Sequence, residues 1–324
     1  MRNTDGLISR REFLALGGGS LLLGSAQAQQ VRQAQDGGSG DPAFAPTQGQ
    51  EGKDVIWVPT PDRLVTRMLR LAALEASDYV IDLGSGDGKI VIAAARDFGA
   101  SGLGIEYNPD MVALSNRNAA AAGVADRARF MRADIFASDF SRATVITMYL
   151  LPHLNLKLRH TLMAMKPGTR IVSHEFKLGD WEPEETSRLG YQSTHLWIVP
   201  GNAGGEWSAQ VSNAPAPLAA TLAIEQNFQK IRGTLTADGI ETSLREARVD
   251  GDRVRFAFTD ADGALRRVEA MLEPERMVGT ISTVARGRTR ASARPAEFVA
   301  RRTGAAPAIK GSQPMPSAEI HGRA

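Results

Sequence analysis

The stretch VIDLGSGDGKI, from Val80 to Ile90, carries the strongest signal of the fold. A short apolar run ends there in three alternating glycines, Gly84, Gly86 and Gly88. Such a run indicates a buried strand of a parallel sheet, and the glycines permit positive φ and a close approach of a ligand to the main chain. Because ligands of open α/β sheets bind beyond the carboxyl ends of the strands, the stretch predicts a ligand site at this turn.

The residues around the glycines indicate which ligand the turn accepts. The dinucleotide pattern G-x-G-x-x-G would need a third glycine where Lys89 stands. The pattern begins instead with Asp82, whose carboxylate suits a ligand that carries a cationic group. Glu106, about twenty residues further on, can accept from both hydroxyls of a ribose, at about 1.5–3 kcal/mol for each charge-assisted bond. Asp134 follows the third predicted strand, where an aspartate can meet an adenine amino group.

Strands and helices alternate on both sides of this turn. Short apolar runs predict strands at 79–83, 102–106, 128–132, 143–149 and 169–176, with helical segments at 90–96, 108–123 and 154–165. This alternation predicts an α/β fold, a Rossmann-like doubly wound and mostly parallel sheet with helices on both faces. We assign residues 53–200 to this domain.

The chain changes character after residue 200. Short runs of alternating polarity are separated by the turn sequences ADG, DGD and DADG. Val254, Phe256 and Phe258 alternate with arginine and small residues, as in a half-buried strand. Residues 201–303 are therefore predicted to form a smaller antiparallel all-β domain, closed into a barrel of about seven or eight strands.

The two ends of the sequence predict segments outside these domains. Residues 1–28 have the order of a twin-arginine export signal: Arg10 and Arg11, a short apolar segment, and a small-residue cleavage site at 26–28. The signal predicts a periplasmic protein, with the cytoplasm as the alternative. Residues 29–52 are predicted to be a flexible linker and 304–324 a disordered tail. With no cysteine in the chain, neither disulfides nor a lipoprotein anchor can form.

Several segments together resemble one family of enzymes. They are WVPTP, DLGSGDGKIVIAAA, GIEYNP, MYLLPHLNLKLR, GTRIVSHEF and DWEP, which span about residues 55–199. In this order they resemble class I S-adenosyl-L-methionine (SAM)-dependent methyltransferases. The resemblance is closest to the mitochondrial protein-lysine methyltransferases of the adenine nucleotide translocase and the ATP synthase c-subunit, and to their bacterial relatives.

The resemblance implies a cofactor, a reaction and a set of site residues. SAM would be the cofactor and a protein lysine the methyl acceptor, with membrane association of that protein left open. Tyr149 and Thr60 would be catalytic: Tyr149 would orient the acceptor, and the segment Pro59-Thr60-Pro61 would lie over the cofactor near the methyl group. The cofactor-binding residues would be Pro59, Thr60, Asp82, Gly84, Ser85, Gly86, Gly88, Glu106, Asp134 and Ile135.

Other interpretations of these patterns remain open. Thr60 can simply cap a helix that starts at Pro61, and a main-chain carbonyl can orient the acceptor in place of Tyr149. Trp181 is interpreted as a packing residue. His153, His160, His174 and His195 lack metal-ligand spacing and are interpreted as structural or surface residues, with His174 nearest to the predicted site.

The alternative functions are a small-molecule methyltransferase and an exported binding module without turnover. A net charge of +2 is too small to indicate a nucleic-acid partner by itself, and the lack of Asn-Pro-Pro-Tyr after the fourth strand argues against nucleobases as substrates, so no nucleic-acid partner is predicted. No metal site is predicted, and the oligomeric state is not indicated.

Overall fold

The computed structural model describes residues 44–212, 218–284, 295–309, 311–314 and 316. The predicted export signal and the first part of the predicted linker lie outside these residues. Within the described part of the chain, the helices are too short and too polar to span a bilayer.

The first domain is built on a sheet of seven strands in the order β3-β2-β1-β4-β5-β7-β6. The strands are β1 (Tyr79–Leu83), β2 (Ser101–Glu106), β3 (Ala128–Arg132), β4 (Val145–Met148), β5 (Arg170–His174), β6 (Glu185–Leu189) and β7 (Gln192–Ile198). The first five pair in parallel, and β7 and β6 form an antiparallel hairpin at one edge. This sheet confirms the predicted Rossmann-like fold. Its order reverses between β1 and β4, where such folds bind ligands.

Four helices pack on this sheet: α1 (Asp62–Leu71), α2 (Lys89–Phe98), α3 (Pro109–Ala121) and α4 (Pro152–Met163). Prolines begin α3 and α4, where the missing N–H costs nothing, and the Asn108 side chain caps α3 by accepting from the Asp110 N–H at 2.9 Å. The alternative interpretation of Thr60 as the cap of α1 is wrong. The N-cap is Pro61, without a side-chain cap, and Thr60 is buried with its hydroxyl bonded elsewhere.

Two features of this domain differ from the sequence prediction. The fourth strand is shorter than the predicted 143–149, because pairing with β1 covers only Val145–Met148. The hairpin of β6 and β7 was not predicted. Strand β6, ETSRL, is an edge strand with mostly polar, exposed residues, so it lacks the apolar run that marks the buried strands.

The second domain is an antiparallel barrel. Its strands are β8 (Gly205–Ser212), β9 (Leu218–Asn227), β10 (Lys230–Ala237), β11 (Ile240–Ser243), β12 (Arg245–Asp250), β13 (Arg253–Thr259), β14 (Leu265–Leu272), β15 (Arg276–Thr283) and β16 (Ala296–Arg302). Because β9 pairs with both β8 and β10, eight strands close into a ring, and β11 pairs with β10 outside it. The predicted barrel is confirmed.

The barrel packs against the first domain through the turn between β9 and β10. Phe228 stacks on Trp181, with 5.7 Å between ring centroids and 4° between ring planes. Trp181 Nε1 donates to Gln229 Oε1 at 3.1 Å, and Gln229 Nε2 donates to the Glu182 carbonyl at 2.8 Å. Trp181 is therefore a packing residue, as predicted. Ile309 is buried in the same apolar cluster, so the predicted disordered tail begins with residues held against the protein.

Candidate functional site

A cavity of about 340 Å³ lies at the carboxyl ends of the parallel strands, above the point where the strand order reverses. Nearly all of the predicted site residues line it: Pro59, Thr60, Asp82, Gly84, Ser85, Gly86, Glu106, Asp134, Ile135 and Tyr149. The strand order arranges them along the cavity. Asp134 follows β3 at one end, and Tyr149 follows β4 at the other.

The glycine turn forms the floor of the cavity. Gly84 and Gly86 have φ of 80° and 54°, which only glycine adopts without strain, and the Gly84 and Ser85 N–H groups donate to the Ile105 carbonyl at 2.9 and 3.1 Å. The turn therefore brings bare main chain to the ligand side. The hydroxyl of Ser85 is buried without a hydrogen-bond partner among the described residues.

Gly88, the remaining residue predicted to bind the cofactor, is not among the residues that line the cavity. It caps α2 with φ 82°. A Cβ at this position would lie 2.7 Å from Phe130 Cζ and 2.9 Å from Ser115 Cβ. The glycine is therefore required for close packing of α2, α3 and β3.

Glu106 ends β2 with its carboxylate fixed by the main chain. Its two oxygens accept from the Gly86 N–H at 3.0 Å and the Asn108 N–H at 2.9 Å. A carboxylate has about four lone-pair positions, so both oxygens keep capacity for a further donor. The turn thus orients an acid that can still bind a pair of hydroxyl groups.

Asp82 is buried beneath the turn and accepts from the Thr147 hydroxyl at 2.7 Å. Burial and, to a smaller extent, the negative charges of Asp87 and Glu106 together raise its pKa to about 7, although the hydrogen bond from Thr147 opposes this shift. Burial also raises the pKa of Asp87. Three carboxyl groups near one turn make this part of the cavity suited to a cationic ligand.

Asp134 lies at the far end of the cavity and is already engaged. It accepts from Lys53 Nζ at 2.6 Å and from the Phe136 N–H at 2.9 Å, and the bond from Lys53 is the largest cause of its lowered pKa. The carboxylate oxygens have further lone pairs. Asp134 can therefore still accept a hydrogen bond from a ligand.

Lys53 belongs to a segment that the sequence did not assign to the site. Residues 49–58, here called the strap, run over the cavity, with main-chain bonds between Gly49 and Trp57 at 2.8 Å and between Trp57 and Gln50 at 2.9 Å. The Trp57 indole lies against Gly86, where a Cβ would come within 2.6 Å of Nε1. The predicted flexible linker therefore ends in an ordered cavity wall, which its Gln- and Gly-rich composition conceals.

The opposite end of the cavity, here called the acceptor end, is formed by Thr60, Tyr149 and Phe176. Tyr149 stacks on Phe176 with 6.3 Å between centroids. Burial and the charge of Glu175 raise the pKa of Tyr149, so the phenol stays protonated. Behind these side chains lies His174, which was interpreted from the sequence as a structural residue. Its place as the final residue of β5 was the one signal that it faces the site.

The cavity fits a SAM-sized ligand by its own chemistry. An acidic pocket at Asp82, an oriented carboxylate at Glu106 and a further carboxylate at Asp134 follow one another along the strand ends. A Cβ at Gly86 would collide with Trp57 at 2.6 Å, and one at Gly84 would make a tight contact of 3.1 Å with Leu150, so both side chains approach bare main chain at the turn. These groups suit an amino or sulfonium cation, a ribose and an adenine.

Comparison with known proteins points to the same chemistry. A family model described as the ANTKMT methyltransferase domain matches residues 82–185. The chain is 42% identical over 137 residues to a protein-lysine N-methyltransferase of Saccharolobus islandicus (strain REY15A), covering 42% of this chain and 85% of that one.

Two other similar proteins are matched over a smaller share of their length or superpose with a low TM-score. The mouse lysine N-methyltransferase of the ATP synthase c-subunit is 29% identical over 149 residues, and the match covers 46% of this chain and 60% of the mouse protein. A crystal structure of an RNA methyltransferase from Salinibacter ruber in complex with S-adenosyl-L-homocysteine is 50% identical over 44% of this chain and 94% of that one, with a TM-score of 0.44.

Proposed function

Since this chain belongs to the protein-lysine N-methyltransferase family, we propose that it transfers the methyl group of SAM to a lysine side chain of a protein. Family membership confirms the methyltransferase class and the cofactor predicted from the sequence. The observation that carries the proposal is the cavity itself, in which carboxylates and bare main chain meet at the strand ends.

The residues divide between holding the cofactor and receiving the acceptor. Asp82, with the turn at Gly84 and Gly86, would hold the methionine end, Glu106 the ribose, and Asp134 with Ile135 the adenine. Thr60 and Tyr149 would orient the amine at the acceptor end. When bound, SAM supplies an activated methyl group on a sulfonium, so the protein has to supply positioning and exclusion of water more than a strong base.

A lysine acceptor must present a free lone pair. At a reference pKa of about 10.4, removing its proton at pH 7 costs about 4.6 kcal/mol. Burial and a nearby positive charge both disfavour the ammonium form and reduce this cost. The side chains of Thr60 and Tyr149 are uncharged, so neither can stabilise an ammonium group by an ion pair as a carboxylate would. The acceptor end therefore does not oppose the loss of the lysine proton.

The direct test follows labelled methyl groups into protein. The full chain is incubated with methyl-labelled SAM and a cell extract, and the protein fraction is hydrolysed and analysed for methylated lysine. We expect label in methyllysine, and none with the Asp82→Ala and Glu106→Ala variants. Label in solvent-soluble material would instead indicate a small-molecule enzyme, and label in RNA would refute a protein substrate. Bound S-adenosylhomocysteine without any transfer would indicate a binding module.

We also propose that the chain is exported to the periplasm, on the basis of Arg10 and Arg11, the apolar segment and the small residues at 26–28. The twin-arginine route carries folded proteins, so cofactor can leave the cytoplasm already bound. Cell fractionation with N-terminal sequencing tests this. We expect a periplasmic chain cleaved after Ala28, and cytoplasmic retention of an Arg10→Lys, Arg11→Lys double variant. A cytoplasmic wild-type chain with an intact N-terminus would contradict export.

A further inference from the structure

His174 lies behind the acceptor end, and the proposed function gives it no role. Its side chain is 1% exposed, and its ring lies against Tyr149 with 3.8 Å between centroids and 37° between planes. His174 Nδ1 is 3.2 Å from Thr60 Oγ1, and Nε2 is 3.4 Å from Gln192 Nε2. One imidazole thus contacts both side chains that were assigned to orient the acceptor.

The partners of the ring determine where its proton lies. The Gln192 amide nitrogen is only a donor, so His174 Nε2 must accept from it. The ring proton of a neutral imidazole is then on Nδ1, from which it is donated to Thr60 Oγ1. This bond fixes the Thr60 hydroxyl and leaves it one lone pair and its own hydrogen on the cavity side.

The surroundings keep this ring uncharged. Burial lowers the pKa of His174 to about 4, and the charge of Glu175 opposes that shift without cancelling it. The ring's other neighbours, Thr60, Gln192 and the protonated phenol of Tyr149, carry no charge. A protonated ring would lose its acceptor for Gln192 and add a positive charge beside a site that receives a cationic donor.

The chain around His174 is held in an unusual conformation. Glu175 has φ 64°, a region that residues other than glycine seldom adopt. Its N–H donates to the Ser193 carbonyl at 2.8 Å, and its carboxylate accepts from the Ser193 N–H at 3.0 Å. This reversal brings the rings of His174 and Phe176 to Tyr149, an arrangement typical of strained residues at functional sites.

We propose that His174 is a positioning residue, which orients the Thr60 hydroxyl through Nδ1 and holds the Tyr149 ring through its face, so that the acceptor end is set for an uncharged amine. The inference rests on the proposed function. A neutral amine whose lone pair is directed at a methyl group has two N–H bonds that need acceptors. The remaining lone pair of a fixed Thr60 hydroxyl is one such acceptor.

The first test needs no acceptor protein. In the full chain labelled with ¹⁵N-histidine, NMR distinguishes the two neutral tautomers and the protonated ring, and a His174→Phe variant assigns the signal. We expect a neutral Nδ1–H tautomer that does not titrate between pH 8 and 5.5, and loss of the tautomer preference in Gln192→Leu, which lacks the donor to Nε2. An Nε2–H tautomer, or a midpoint between pH 6 and 7, would overturn the proposal.

The second test asks whether His174 acts through Thr60. His174→Phe keeps an aromatic ring against Tyr149 but lacks the donor, and His174→Asn keeps a short donor. We expect S-adenosylhomocysteine to bind His174→Phe within about threefold of wild type by calorimetry, with labelling of extract protein slowed at least tenfold and partly restored in His174→Asn. Because the two residues form one unit, the double variant with Thr60→Val should be no slower than Thr60→Val alone.

A matched control separates positioning from loss of a buried imidazole. His195 is 4% exposed and pairs in register with Ser173, so it projects from the opposite face of the sheet. His195 Nε2 donates to the Glu175 carbonyl at 3.1 Å, so the control is His195→Gln, which keeps a donor there. His195→Gln should change stability without the tenfold loss of rate. Rates that multiply in the double variant, or equal losses in His174→Phe and His195→Gln, would refute the positioning role. Absence of any label in wild-type protein would refute the proposed function and leave the NMR result to decide on His174.

Discussion

Asp82 shows how one side chain can weaken the fold in order to serve the site. Its pKa is about 7 in the folded protein and 3.8 when unperturbed. Between these values the folded state therefore binds more protons than the unfolded state, and the stability of the ligand-free protein falls as pH rises through this window. Such a cost is expected where a site needs a buried charge.

The first prediction concerns the pH dependence of ligand binding at Asp82. A ligand with an ammonium group binds the ionised carboxylate, so binding below pH 7 must release a proton. We expect the affinity for S-adenosylhomocysteine to rise between pH 6 and 8, by up to about tenfold per unit below the pKa, when measured by calorimetry. Asp82→Asn should bind weakly and without this slope. A wild-type affinity that is flat over the range, or an equal slope in Asp82→Asn, would contradict the assignment.

The second prediction concerns Glu106. Glu106→Ala removes an acceptor for two ribose hydroxyls and leaves the N–H groups of Gly86 and Asn108 without their partner. At about 1.5–3 kcal/mol per charge-assisted bond, the affinity for S-adenosylhomocysteine should fall at least about a hundredfold. Asp110→Ala removes an acidic side chain from the surface of the adjoining helix. This variant should bind S-adenosylhomocysteine with an affinity within about threefold of wild type. Similar affinities of the two variants would refute the ribose role.

At the scale of elements, the glycine turn both lines the cavity and packs the start of α2. The sequence pattern does not show which glycine serves which purpose. Gly84 and Gly86 line the cavity, whereas Gly88 begins α2 against Phe130 and Ser115. The local pattern predicts the turn, the strand before it and the helix after it. Which glycine meets a ligand depends on Phe130, which arrives from β3.

The third prediction tests this division at Gly88. Gly88→Ala forces an alanine to φ 82° and places its Cβ 2.7 Å from Phe130. The two costs are about 1–2 kcal/mol for the left-handed backbone and about 1–3 kcal/mol for overpacking. Gly123→Ala is the control, with φ 69° and no atom within 4 Å of the new Cβ. Urea unfolding should show the larger loss of stability for Gly88→Ala, and equal losses would contradict the packing role.

Features that depend on local sequence could be predicted, and features that depend on contacts between distant residues could not. Strands β1 and β3 occupy the residues predicted for them, because a buried strand is recognisable from its own apolar run. The acids that line the cavity follow those strands and were found with them. A capping role for Thr60 stayed open because its partner, His174, is 114 residues away. The first part of the strap, residues 49–52, was taken for a linker because the other residues that line the cavity with it lie elsewhere in the sequence.

At the scale of the whole molecule, the barrel and the methyltransferase sheet share one apolar junction. Trp181 is fully buried between the core of the first domain and Phe228 of the barrel, and its carbonyl accepts from Trp197 Nε1 at 2.8 Å. The described residues accordingly belong to one compact unit. Stability of the enzyme domain should therefore depend on side chains of the barrel.

The fourth prediction tests this dependence with Trp181→Ala. The change removes the stacking on Phe228 and the donor to Gln229, and it leaves a cavity at the junction. Truncating a buried aromatic residue costs about 3–5 kcal/mol, so the urea midpoint should fall clearly. The transitions followed by circular dichroism and by fluorescence should coincide in the wild type and separate in the variant if the junction couples the two domains.

Tyr191→Ala is the matched control for this fourth prediction, because the Tyr191 side chain is 94% exposed on the turn between β6 and β7. Removing it should change stability by no more than about 0.5 kcal/mol. The two aromatic residues lie in neighbouring segments of the same domain, so the comparison separates the loss of a ring buried at the junction from the loss of an exposed ring. If Trp181→Ala unfolded at the midpoint of Tyr191→Ala with coincident transitions, the barrel would contribute nothing to the stability of the enzyme domain. The cavity would then depend on the Rossmann-like sheet alone.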